Sequence, residues 1–363
     1  MTNRGVALYI HIPFCRHICA YCDFCHMTYS DKMANEWFSE FQREFNTRVN
    51  FIPSSIYLGG GTPTSLNEDL FEEVLKLIDT VYSKGIEYTI EINPETFDEE
   101  KARLLKKYHV NRASIGLESS DSAELAFLGR RHTYDDVKNT VRLLNEISDI
   151  HNISSDILYS FPHETMESFK KTIDDALALN IKHISLYSLT IEENTVFGKK
   201  GYQSFDEDIE ADYYETAKTM FEERGYMQYE VSNFALKGYE SKHNLAYWHY
   251  DDFMGLGMGA SSKLNHQRED NTRHLSSYLK HKYIDEVIEL SKEDEMFEMI
   301  MMGMRLKEGV DLKCFKERFN KELLDVYKDI TDSLINRNLV RVEDNHLIAN
   351  NLEILNSILV EFL

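Results

Sequence analysis

Four of the five cysteines of this chain fall inside residues 9–25, which read Tyr-Ile-His-Ile-Pro-Phe-Cys-Arg-His-Ile-Cys-Ala-Tyr-Cys-Asp-Phe-Cys. Cys15, Cys19 and Cys22 are spaced C-x3-C-x2-C, and Cys25 follows three residues after Cys22. Thiolates on gaps this short let one loop wrap an iron–sulfur cube. A cubane has four irons, so three thiolates leave one iron open to a small molecule, which points to chemistry or exchange rather than a purely structural role. The competing metal is zinc, held by the three cysteines and one of His11, His17 or His26. Structural zinc sites pair two separated knuckles, and the isolated Cys314 offers no second one. The spacing therefore favours a [4Fe–4S] cluster on Cys15, Cys19 and Cys22.

The elements that must position this loop alternate. A strand over 7–12 precedes the cysteines, and Ala34, Trp37, Phe38, Phe41 and Phe45 make a helical stripe over 32–49. Further strands over 55–58, 87–92, 112–117, 153–158 and 183–191 alternate with helices over 68–82, 98–108, 135–147, 166–179 and 208–224. Six β–α units of this kind predict a parallel sheet with helices outside it. Eight would close a TIM barrel, so six predict an α/β fold built on a partial (β/α)6 TIM-like barrel, open on one side.

Chemistry in such barrels gathers at the C-terminal ends of the strands. The cysteine loop follows strand one. Gly59-Gly60-Gly61-Thr62-Pro63-Thr64 follows strand two, where missing Cβ atoms let a ligand meet the backbone. Glu91, Glu118 and Asp156 sit in or at the ends of strands three, four and five. An acid within a buried strand costs energy unless it finds partners. Three at one rim predict a polar pocket, with Arg130 and a ligand's hydroxyls and amine as those partners.

Beyond the barrel, His243 and Tyr247 lie four residues apart in His-Asn-Leu-Ala-Tyr-Trp, so a helical turn would put both on one face. The bland alternative is a surface turn packed by Trp248. Gly255, Gly257 and Gly259 alternate, which permits close packing. From about 291 a Met-rich helix, two amphipathic helices and two short strands predict a small α+β, winged-helix-like C-terminal domain. Met296, Met299, Met301, Met302 and Met304 could line an irregular apolar ligand pocket, but such clusters are more often core. The expected division is 1–225 for the barrel, 226–290 for a bridging segment and 291–363 for the C-terminal domain.

The bulk numbers bound the rest. With 42% hydrophobic and 28% charged residues the chain is ordinary globular protein. No run reaches the ~18 apolar residues of a membrane span, and residues 1–7 are too short and polar for a signal peptide. Clustered cysteines fit metal binding in a reducing cytoplasm better than disulfides. A net charge of −22 argues against nucleic acid and against anionic lipid as partners.

C-x3-C-x2-C with Tyr21 before the third cysteine resembles the radical S-adenosylmethionine (SAM) superfamily, in which the amino and carboxylate groups of SAM chelate the fourth iron. The segment Tyr9-Ile10-His11-Ile12-Pro13-Phe14-Cys15 is similar to the coproporphyrinogen-oxidase-related branch, which contains the HemN enzymes and the HemW haem chaperones. The resemblance covers nearly the whole chain. It implies the partial barrel, and it implies SAM contacts from Tyr9, Tyr21, Gly60, Gly61, Thr62, Glu91, Glu118, Arg130 and Asp156. One departure is Glu118, where the branch usually has Gln. An ionised Glu accepts hydrogen bonds but cannot donate one.

HNxxYW resembles HemW-like chains, where it is associated with haem, and so makes His243 and Tyr247 candidate haem ligands. HemN enzymes carry a fourth cysteine two residues after the third cluster ligand, where this chain has Phe24, and a longer extension before the cluster than the fourteen residues that precede Cys15 here. HemW-like chains often have Asn where this one has Cys25, which is read as a free thiol. The resemblance thus implies a haem chaperone carrying a SAM-coordinated [4Fe–4S] cluster. It would pass haem to acceptor proteins, respiratory-chain haem proteins among them, as a monomer or a cluster-dependent dimer, with an electron donor if SAM is cleaved. The alternatives are an oxygen-independent coproporphyrinogen III oxidase and a radical SAM enzyme acting on another substrate.

Overall fold

The computed structural model describes residues 5–363; the start of the stretch read above as lacking a signal peptide lies outside the described residues. Six strands alternate with helices as expected: β1 (Ala7–Ile12), β2 (Ser55–Gly60), β3 (Glu87–Ile92), β4 (Arg112–Glu118), β5 (Asn152–Tyr159) and β6 (His183–Ser188). They pair in sequence order and in parallel. Residues 226–290 extend this sheet at both ends. β7 (Met227–Gln228) and β8 (Asn233–Ala235) add antiparallel beyond β6. β9 (Phe253–Leu256) pairs parallel with β1 as a seventh parallel strand, and β10 (Ser261–Leu264), β11 (Gln267–Asn271) and β12 (Ile284–Glu289) continue from it antiparallel. The order β12-β11-β10-β9-β1-β2-β3-β4-β5-β6-β8-β7 leaves the sheet open.

The outward side of the strands is packed by amphipathic helices. Helix Asp31–Arg48 starts at Ser30, whose side chain accepts from the Met33 backbone N–H, and buries Trp37 stacked on Phe41 at 5.0 Å. Its Glu44, fully buried, accepts from the Gly257 N–H at 3.0 Å and the Tyr278 hydroxyl at 2.6 Å. That bond pins the alternating glycines. Gly257 has φ +88°, and a Cβ there would lie 2.4 Å from the His11 carbonyl oxygen, so only glycine fits.

The C-terminal unit has its own apolar core. Val310–Asp311, Val340–Glu343 and His346–Ala349 make a three-stranded antiparallel sheet, packed by helices Lys292–Gly303, Leu312–Phe319 and Lys328–Asn336. The second of the two expected amphipathic helices breaks at Tyr327 into Leu323–Val326 and Lys328–Asn336. Met296, Met299 and Met304 are buried in this core and Met301 and Met302 pack against it, which supports the core reading of the methionines.

Candidate functional site

Pro13, Cys15 and their neighbours tie the cysteine loop down by its backbone. Phe14–Cys15 pairs with Met27–Thr28, the Met27 N–H donates to the Pro13 carbonyl at 2.7 Å, and the Ala20 N–H donates to the Leu128 carbonyl at 2.9 Å. Arg16 Nε adds a bond to the Ser65 carbonyl at 2.7 Å. Cys15, Cys19, Cys22 and Cys25 are free thiols. Thr62 Oγ1 reaches Cys15 Sγ at 3.7 Å, Arg130 Nη1 reaches Cys19 Sγ at 3.6 Å, and His26 Nδ1 lies 3.5 Å from Cys22 Sγ.

Zinc would need its ligands to converge on one point, at about 2.0–2.3 Å from the ion. Among the described residues no three His, Cys, Asp or Glu side chains do so. A cubane gives each thiolate its own iron, so the donor set and its hydrogen-bonded surroundings fit a cluster better. Cys25 stands apart: its Sγ faces the Arg273 carbonyl at 3.9 Å, and its own carbonyl accepts from His11 Nε2 at 2.7 Å.

The inward side of the strands is polar and builds the rest of the site. Glu91 accepts from the Tyr57 hydroxyl at 2.9 Å and the Gly60 N–H at 3.0 Å. Gly60 has φ +105°, and a Cβ there would meet the His11 ring at 2.6 Å. Asp156 accepts from Ser114 Oγ at 3.2 Å. Glu118 reaches its place through a β-bulge: the β4–β5 register shifts between Gly116 and Glu118, and Glu118 takes φ +62°. That turn sets its carboxylate 3.4 Å from Arg130 Nη2, which also donates to the Gly116 carbonyl at 2.8 Å.

The structure therefore brings Tyr9, Tyr21, Gly60, Thr62, Glu91, Glu118, Arg130 and Asp156 into one linked neighbourhood beside the cysteines. Gly61 lies just behind, its N–H donating to the Ile12 carbonyl at 2.8 Å. Tyr57, Ser114 and Arg112 complete the interior and escaped the sequence reading. The period-2 polar positions of β2 and β4 were the signal that marked them.

Burial lifts Glu91 to about 7, with neighbouring Asp156 adding to the rise against the Tyr57 hydrogen bond. It lifts Glu118 to about 7 as well, desolvation and Asp156 together outweighing the pull of Arg130. Unfolded glutamates ionise near 4.5, so between about 4.5 and 7 the folded chain holds protons that the unfolded chain has lost. The contribution of these groups is complete below 4.5 and fades as pH rises through 7. Glu118→Gln is expected to flatten that decline, by up to about 1.4 kcal/mol per pH unit. Urea unfolding of the cluster-free protein at pH 5, 6 and 7 measures the slope, and an unchanged slope in Glu118→Gln refutes the assignment.

His243 and Tyr247 do not sit on a surface turn. They lie on helix Lys242–Trp248, whose first N–H groups are held by Glu87: His243 N–H at 2.9 Å and Lys242 N–H at 3.0 Å. His243 is 1% exposed. Its Nδ1 is bonded to Ser55 Oγ and its Nε2 to the Tyr247 hydroxyl, both at 2.8 Å. Tyr247 lines a cavity of about 430 Å³ that runs from the cysteine loop down the inside of β1 and β9, with Tyr9, Phe24, Glu91, Phe253 and Arg273 also on its walls.

A family model described as the radical SAM superfamily matches residues 9–176, and one described as the HemN C-terminal domain matches residues 290–355. The chain is 34% identical to a Lactococcus lactis protein named heme chaperone HemW, over 100% of this chain and 98% of that one. It is 33% identical to the Bacillus subtilis protein of the same name, over 92% of each. Identity to the Escherichia coli protein of that name is 30%, over 84% of this chain and 83% of that one. The fold is that of the radical SAM enzyme coproporphyrinogen III oxidase (HemN) of Escherichia coli, with a TM-score of 0.86 at 18% identity, covering 99% of this chain and 90% of that structure.

Proposed function

Because the chain belongs to the HemW haem-chaperone family within the radical SAM superfamily, we propose that it is a cytoplasmic haem-binding chaperone that hands haem to acceptor proteins. Phe24 carries the choice over the oxidase. It occupies the position at which the decarboxylating enzymes have a cysteine, and it stands 65% exposed on the wall of the mouth cavity. Cys15, Cys19 and Cys22 would hold the cluster, which when bound supplies a redox-active iron with a position open to the amino and carboxylate groups of SAM. Tyr9, Tyr21, Gly60, Gly61, Thr62, Glu91, Glu118, Arg130 and Asp156 would form the SAM contacts, the acids orienting its polar ends and the glycines letting it approach the backbone. Haem would occupy the open side, against His243 and Tyr247. The working division remains 1–225, 226–290 and 291–363. No helix among the described residues is long and apolar enough to cross a membrane.

The test is hemin titration of the anaerobically prepared protein, with and without cluster, beside an assay on coproporphyrinogen III. Stoichiometric hemin uptake without decarboxylation is expected. Conversion of coproporphyrinogen III to protoporphyrinogen IX under reductant would reverse the choice. A separate equilibrium dialysis is expected to retain SAM only on the cluster-loaded protein.

A further inference from the structure

We propose that β12, the end strand of the main sheet, is a docking edge for a partner protein, and that it takes an extended segment carrying lysine or arginine, which adds beside it as a further strand. The inference goes beyond the haem-chaperone reading and does not depend on it. β12 (Ile284–Glu289) pairs antiparallel with β11 and, among the described residues, has no strand beyond it. The other end of the sheet offers no such edge. There β7 is two residues long, and the chain just after it is tied to the C-terminal unit: Glu230 bridges Leu306, and the Lys307 N–H donates to the Tyr229 carbonyl at 3.0 Å.

The ladder fixes which backbone groups point outward. The Leu290 N–H donates to the His266 carbonyl at 2.8 Å, and the register sets Ile288 opposite Arg268 and Glu286 opposite Asp270. Antiparallel pairs alternate between bonded and non-bonded, so Ile288 and Glu286 turn their backbone groups toward β11, while Val287 and Glu289 turn theirs away from it. Residues 285–289 are all exposed. Val287 is 50% exposed and Ile288 41%, and as neighbours in a strand they stand on opposite faces. A segment laid along this edge would gain main-chain bonds from β12 and an apolar contact on each face, the mode by which extended peptides add to sheets.

Charge selects the occupant. Asp285, Glu286 and Glu289 lie on β12, and Glu269 and Asp270 lie beside them on β11. Arg48 pairs with Glu269, and Arg268 is drawn off to Glu298 at 2.6 Å, but no described base forms an ion pair with Asp285 or Glu286. Charges on an edge strand guard it against unwanted pairing. Those on β12 are all of one sign, so the guard is selective. It repels a second copy of a chain whose net charge is −22, and it admits a strand whose lysines or arginines lie across from the acids.

The probe is a fluorescein-labelled peptide of alternating lysine and valine, titrated into the full chain and followed by anisotropy, with amide hydrogen exchange as the structural readout. Wild type is expected to bind it, less tightly as salt rises, and the complex is expected to exchange the Val287 and Glu289 amides more slowly than the chain alone. Val287→Pro removes an outward N–H and none that β11 uses, so the sheet should stay folded, with circular dichroism as the control. Its affinity is expected to fall at least about tenfold. Glu286→Lys keeps every backbone group and is expected to weaken binding about three- to tenfold and to flatten the salt dependence. A folded Val287→Pro that binds as tightly as wild type overturns the proposal, because charge alone then holds the peptide. So does a wild-type chain that fails to bind, or a complex in which the Val287 and Glu289 amides exchange unchanged, a readout that stands even if Val287→Pro unfolds. Unchanged affinity in Glu286→Lys overturns the choice of a basic occupant. Self-association in sedimentation that Val287→Pro abolishes would give the edge to a second copy and overturn that choice as well.

Discussion

Single replacement of Cys15, Cys19 or Cys22 by Ala is expected to abolish a four-iron cluster, while Cys25→Ala leaves it intact. The contrast follows from where the thiols stand. Arg130, Thr62 and His26 surround the sulfurs of the first three. Cys25 Sγ instead packs at the glycine turn, where a Cβ on Gly259 would come within 2.9 Å of it. The chain itself should stay folded in all four variants. The loop is held by backbone bonds from Met27, Ala20 and Tyr29 and by Arg16, none of which uses a thiol. Iron and sulfide content after anaerobic reconstitution, with far-ultraviolet circular dichroism as the folding control, measures both halves. Equal loss of iron in Cys25→Ala would place the fourth cysteine among the ligands. Full iron in Cys19→Ala would dissolve the cluster site as drawn.

The order of the first six strands was legible because each is a short apolar run flanked by an amphipathic helix, and that pattern depends only on neighbours in sequence. The glycine segment and the three acids were legible because strand ends are where a parallel barrel exposes its backbone. β9 was not. Phe253-Met254-Gly255-Leu256 has weak strand propensity, and its place beside β1 is fixed from outside, by Glu44 gripping Gly257 across more than two hundred residues of chain. Glu118 was named, but its aim was not. A register shift and a left-handed backbone turn it toward Arg130, and neither leaves a mark in the residue types of Gly116-Leu117-Glu118.

His243 shows the opposite failure of local reading. Spacing alone put it on one face with Tyr247, which is correct, and the natural inference was an available imidazole. The decisive partners are Glu87 and Ser55, at the starts of two different strands. Glu87 holds the backbone N–H, and Ser55 together with Tyr247 takes up both ring nitrogens of a buried group. A motif can thus place two side chains on one helical face while the hydrogen bonds that occupy them come from elsewhere in the fold.

Arg130→Met is expected to be the most destabilising change at the acidic rim of the barrel. The guanidinium side chain is 10% exposed and serves Glu118, the Gly116 carbonyl and Cys19 at once. Removing one partner of a buried ion pair typically costs about 3–5 kcal/mol, because the other charge is left without compensation. That cost should depend on pH. Glu118, already pushed up to about 7 with Arg130 present, rises further without it and can escape the penalty by taking a proton. The loss is therefore expected to be larger at pH 8 than at pH 6. Adding Glu118→Gln to Arg130→Met removes the orphaned charge and should restore most of the stability at pH 8, while SAM retention by the cluster-loaded protein stays low, since Arg130 is still missing. Urea unfolding of wild type, both single variants and the double variant at the two pH values closes the cycle. If the double variant is as unstable as Arg130→Met at pH 8, the stabilising role of Arg130 lies in its bonds to Gly116 and Cys19 and not in its charge.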